Sequence, residues 1–144
     1  MVEPDTIRLL RECDAGVKMG VASIEEILPS VKNEDLKKCL EKGKSAHEVM
    51  EEEIQELLAK YHDEGKEPGA MAKGMSWIKT NAKLAMDESD KTAADLMTDG
   101  CNMGAKTLNR YLNQYQAADE KSKHIAKRLI KLEEQLVIDI RQFL

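Results

Sequence analysis

Residues 36–61 read LKKCLEKGKSAHEVMEEEIQELLAKY, and this stretch decides the fold. Leu36, Leu40, Gly43, His47, Met50, Ile54, Leu57 and Tyr61 step alternately by four and three residues. That alternation keeps all of them on one face of an α-helix, the face that buries against partner helices. His47 is the chemical exception. It stands in mid-stripe, where an apolar residue belongs.

The same period recurs on both sides. Upstream, Leu10, Cys13/Asp14, Val17, Gly20/Val21, Ile24 and Ile27/Leu28 form a stripe that begins near Pro4, a residue suited to a first helical turn, and stops at Pro29-Ser30. Asn33, followed by Glu34 and Asp35, is the expected N-cap of the second helix. So short a connection makes the first two helices antiparallel neighbours. The second helix is expected to end near Glu64, with Gly65 as its C-cap. Residues 70–86 carry a weaker pattern around Trp77 and read as a crossover helix. A third helix shows Met97, Cys101, Gly104, Leu108, Tyr111 and Tyr115, with Ser89 or Asp90 as its cap. Asp119, three residues before Ser122, caps a fourth helix through Ile125, Leu129, Leu132, Leu136, Ile140 and Phe143. Two helical hairpins joined by a long crossover make an all-α four-helix bundle, one domain over residues 1–144.

Composition narrows the function. Charged residues make up 34% of the 144, apolar ones 42% and aromatic ones 3%, the profile of long amphipathic helices. A net charge of −5 is the wrong sign for nucleic acid or an anionic membrane surface, and the few aromatics offer no base-stacking platform. Cys13, Cys39 and Cys101 are odd in number and lack a C-x-x-C pair, which excludes a disulfide framework and a zinc knuckle. The N-terminus has no apolar run and is not expected to be a signal peptide, and no run is long enough to span a bilayer. A cytoplasmic location is therefore expected. No phosphate-binding glycine loop, nucleophile elbow or H-E-x-x-H motif occurs.

Asp14 and His47 are the suggestive pair. Asp14 lies 17 residues before Val31 and His47 lies 16 after it, so both fall ~24–26 Å from the turn at 1.5 Å per residue. They are expected at one level, facing each other. Such a pair is either a hydrogen-bonded core contact or two ligands of a metal. The first is favoured, because a buried histidine must find a partner in any case. Glu51 is a candidate third ligand, and Glu133 borders the fourth stripe and could reach inward. Glu48 and the rest of the 51–53 run read as a solvated face. Cys101 reads as a small hydrophobe, and Asp95 and Asp99 point away. His62 and His124 carry little weight. The basic cluster of Lys121, Lys123, His124, Lys127, Arg128 and Lys131 reads as a helix surface. Gly43 and Gly104 each cost ~1 kcal/mol of helix stability, so they mark close approach or room left for a neighbour, or for a small ligand.

On LLAKYHDEGKEP at 57–68, GAMAKGMSWIKTNAKLAM at 69–86 and GCNMGAKTLNRYL at 100–112, the chain resembles the ferritin-like superfamily. More narrowly, it is similar to a bacterial ferritin-like family catalogued as a domain of unknown function. The resemblance implies an up-down ferritin-like four-helix bundle with an additional crossover helix. A dimetal centre of that kind needs a Glu from each of two helices and a Glu-x-x-His from each of the others. Here Lys44, Ala59 and Lys121 stand three residues before the histidines, and Ala105 follows Gly104 where acidic relatives show Gly-Glu. The expected function is accordingly a degenerate, non-catalytic bundle acting by self-association as a homo-oligomer or by binding a protein partner, with no cofactor. The alternative is a metal-binding protein holding iron, manganese or zinc with Asp14, His47, Glu51 and Glu133.

Overall fold

The structure is a computed structural model, and it describes residues 2–66 and 89–144. The expected crossover helix around Trp77 lies outside the described residues. Four long helices account for nearly all of the rest: α1 (Pro4–Ile27), α2 (Glu34–Lys60), α3 (Asp90–Gln114) and α4 (Glu120–Ile140). Short 3₁₀ turns follow α1 at Leu28–Ser30 and α4 at Arg141–Phe143.

The caps explain where three of the helices start. Asn33 accepts from the backbone N–H of Asp35 (2.8 Å) and Leu36 (3.1 Å), satisfying donors that the first turn of α2 leaves open. Ser89 accepts from Thr92 N–H at 3.2 Å, and Asp119 accepts from Ser122 N–H at 2.8 Å.

The end of α2 differs from expectation. The helix stops at Lys60, four residues before Glu64, and Gly65 is not its cap. His62 takes the left-handed conformation (φ 57°). Its N–H donates to the Ala59 carbonyl, and that of Asp63 donates to Leu58, the paired bonds of a Schellman closure. Histidine tolerates this backbone region better than most residues, so the closure forms a turn earlier than the nearest glycine.

Side-chain caps also fix helix direction. Asp5 and Thr6 at the start of α1 accept from Ala117 (3.2 Å) and Asp119 (2.8 Å), between α3 and α4. Asp90 at the start of α3 accepts from Lys32 (2.7 Å) and Asn33 (3.1 Å), between α1 and α2. Hence α1 and α4 run one way, and α2 and α3 the other. Helix α1 packs on α2, α3 and α4, while α4 also packs on α2 and α3.

Every stripe position of α2 from Leu36 to Leu57 is buried. The core divides into two apolar clusters. One gathers Leu9, Leu10, Val17, Ile54, Leu58 and Leu129 near the start of α1. The other gathers Ile24, Leu36, Leu40, Met97, Leu136 and Ile140 near the α1–α2 turn. Each of these aliphatic side chains contributes about 1.5–3 kcal/mol when fully buried. Between the clusters lies a polar layer. No helix among the described residues is long and apolar enough to cross a membrane.

Candidate functional site: a buried polar layer and a second carboxyl pair

His47 lies in that layer, 1% exposed. Its Nδ1 is 2.7 Å from the Gly43 carbonyl one turn earlier, and its Nε2 is 2.5 Å from Glu133 Oε1 on α4. Both ring nitrogens thus face acceptors, so the ring donates from both when it is an imidazolium. Burial opposes the charge, but the bonds to Glu133 and Gly43 outweigh it and raise the His47 pKa above its ordinary value. Glu133 is itself only 7% exposed. It occupies the interior beside Leu132, which is left half-buried. The Cys101 thiol of α3 faces Glu133, and burial together with that carboxylate raises the pKa of the thiol and keeps it protonated.

Helix α1 contributes an absence of side chain. A Cβ added to Gly20 would fall 2.7 Å from both Cδ2 and Nε2 of His47, closer than any real Cβ contact. The imidazole therefore fits only because residue 20 is glycine. Gly104 is less constrained, since a Cβ there would meet Glu133 Oε2 at 3.5 Å, and one at Gly43 would press on the Leu136 methyls at 3.3 Å. The layer thus receives glycine from three helices and a carboxylate from the fourth.

Asp14 is elsewhere. His47 meets Gly20, six residues or about 9 Å further along α1, so the expected Asp14–His47 pair does not form. The midpoint between Gly20 and His47 falls at residues 33–34, whereas the expectation placed it at Val31. The chain leaves α1 through a 3₁₀ turn and passes through extended backbone at Val31 and Asn33, so α2 starts beyond the level where α1 stops.

Asp14 is instead fully buried in a cluster of its own. It accepts from Lys18 Nζ (2.9 Å), Gln55 Nε2 (2.7 Å) and the backbone N–H of Lys66 (2.8 Å). The same Gln55 amide donates to Glu51 Oε1 at 3.0 Å, which brings the two carboxyl groups together. Among the described residues, Glu51 Oε2 is buried with no donor bonded to it, a position that suits a protonated oxygen donating to Asp14. Burial and the neighbouring Asp14 push the Glu51 pKa up to about 7. Burial also works to raise Asp14, but its bonds to Glu51, Lys18, Lys66 and Gln55 prevail and hold it below the usual range.

The four acidic and imidazole candidates therefore separate into two pairs, His47 with Glu133 and Asp14 with Glu51. Among the described residues, no group of three or more His, Cys, Asp or Glu side chains is placed to hold a metal ion. Glu48 and Glu52 are exposed, as expected of a solvated face, while Glu53 binds Arg128 through both carboxylate oxygens at 2.9 Å. His62, His124, Asp95 and Asp99 are exposed. Two residues carry more than sequence reasoning assigned them. Gly20 was visible as a glycine in a buried stripe, the same signal that marked Gly43 and Gly104. Gln55 left no signal, because an amide off the stripe resembles any surface residue. Comparison with protein-family models, curated proteins and solved structures found no match.

Proposed function

We propose that this chain is a ferritin-like bundle whose dimetal position has been given over to a buried ion pair, and that it works through its surface, by self-association or by binding a protein partner. The direction of the helices supports the ferritin-like reading. α2 and α3 run in the same sense, as they do in bundles of that kind with one long crossover.

The observation that carries the proposal is the His47–Glu133 contact within the polar layer. A metal takes a histidine through a deprotonated ring nitrogen with its lone pair free. Here one ring nitrogen is engaged by the Gly43 carbonyl and the other by Glu133. The positions on α1 and α3 from which further carboxylates would enter the layer are Gly20 and Gly104. In this reading the imidazolium supplies the positive charge that neutralises the interior carboxylate. Three cysteines without a disulfide accord with a reducing, cytoplasmic setting.

Elemental analysis after exposure to iron, manganese and zinc tests the proposal, run beside His47→Ala. The expected result is no stoichiometric metal in either protein. Near-stoichiometric metal in the parent, lost in the variant, would overturn the reading in favour of the metal-binding alternative. Light scattering across a concentration series reads self-association directly. A monomer at every concentration would remove it and leave a protein partner.

A further inference from the structure

The six residues after α2 fold back over α1, with Tyr61 packed on the apolar core and polar bonds made by the residues that follow it. Lys66 donates its backbone N–H to Asp14, and its ammonium meets Glu12 at 2.5 Å. Asp63 accepts from the N–H of Gly65 at 2.8 Å and lies 3.7 Å from Arg11. Gly65 has φ 86°, and any Cβ there would run into Asp14 Oδ2. The turn is therefore shaped to close over the Asp14 carboxylate, and glycine is required on both counts.

Beneath it, Asp14 and Glu51 are bridged by one amide, Gln55 Nε2. Two carboxylates this close repel each other in a partly dry site unless one keeps its proton. The cations described around the pair are bonded to Asp14 and to Glu12. Lys18 of α1 is bonded to Asp14, and its charge works to lower Glu51. Lys66 of the turn is engaged with Glu12, and burial, with the charge of Glu12, raises the pKa of Tyr111 on α3. Cys13 beside Asp14 is pushed up to about 12 by burial and by its acidic neighbours, so it contributes no charge.

We infer that Asp14 and Glu51 share a single proton, and that this proton is a clasp that holds the turn at residues 61–66 against α1 and opens when it is lost. The sign follows from the two carboxyls separately. Glu51 is raised to about 7 by burial and by Asp14, so an opening of the turn that lets water reach the pair lowers it toward the ordinary 4.5, and docking weakens as pH rises toward about 7. Asp14 is lowered, so its contribution is present above its ordinary value and is lost only as pH falls below it. The clasp is tightest in mildly acidic solution and loosens through neutrality. This inference stands apart from the role proposed for the His47–Glu133 pair.

Amide hydrogen exchange tests it on the full chain, with the amide of Lys66 as reporter. Between pH 6 and pH 8, after correction for intrinsic exchange, its protection should fall by up to about tenfold, the factor that a carboxyl moving from 4.5 to about 7 imposes. Leu36, capped by Asn33 at the opposite end of α2, should show no such fall. Glu51→Gln mimics the protonated side chain, and its amide donates to Asp14 at any pH, so protection of Lys66 should become flat. An equal fall at Leu36, an unchanged Lys66 in the parent, or an undiminished fall in Glu51→Gln would each overturn the clasp. Carbon-13 titration of the parent carboxyls gives a check without a variant. One of the two should titrate near 7 and the other below its ordinary value. Two ordinary titrations would refute the shared proton.

Discussion

Replacing Glu133 by Met removes the acceptor of His47 Nε2 and leaves an imidazole 1% exposed with one nitrogen unpaired. Breaking a buried ion pair from one side costs about 3–5 kcal/mol, because the surviving group stays desolvated without its partner. Against a total stability of about 5–15 kcal/mol, such a loss lowers Tm by about 10–20 °C in a chain of this size. His47→Leu strands Glu133 in the same way, softened by the neighbouring Cys101 thiol. The double variant His47→Leu/Glu133→Met replaces both groups with apolar side chains of similar volume, and it should fall within about 1 kcal/mol of the parent or exceed it. Urea unfolding of the four proteins at pH 6 completes the cycle, and the coupling should be at least about 2 kcal/mol. The pH dependence is a second signature. His47 is raised in the folded state, so the stabilisation is complete below its ordinary value of 6.5 and fades as pH climbs through the folded one. In the double variant that fade disappears. Single variants that each cost under about 1 kcal/mol and add without coupling would refute the ion pair.

The glycines give a paired test. Gly20→Ala forces its methyl against the His47 ring and should destabilise by about 1–3 kcal/mol, as overpacked cores do, whereas Gly104→Ala meets only ordinary contact and gains up to about 1 kcal/mol of helix propensity. Thermal unfolding of the two variants separates them by sign. Thiol labelling of the native protein should reach Cys39, which is half-buried, well before Cys13 and Cys101, which should react only on unfolding. Mass spectrometry of the labelled peptides identifies the order.

Much of the fold was legible because helices announce themselves locally. The alternation from Leu36 to Leu57 named buried positions of α2 one after another, and Asn33 and Asp119 marked two helix starts by the same rule that makes them caps. The end of α2 was less legible. Gly65 was the obvious residue for a left-handed cap, yet His62 took that place and released the glycine to close over Asp14. Sequence cannot rank two nearby candidates when the tertiary contact of one decides the matter.

The candidate site divides along the same line. His47 stood out as a polar residue in an apolar stripe, and Asp14 and Glu133 stood out as acids at or beside one. Which acid meets the histidine was a matter of axial register between helices. Register depends on how the chain turns between Leu28 and Asn33, and an offset of about three residues there doubles to six at the partner helix. Each residue is a rise of about 1.5 Å, so that offset exceeds one helical turn and exchanges Asp14 for Gly20. Periodicity along one helix is set by the backbone alone, and it determined which side chains are inside. Their pairing is set by the turns and by packing between helices, and only the tertiary structure decided that His47 has Glu133 and that Asp14 has Glu51.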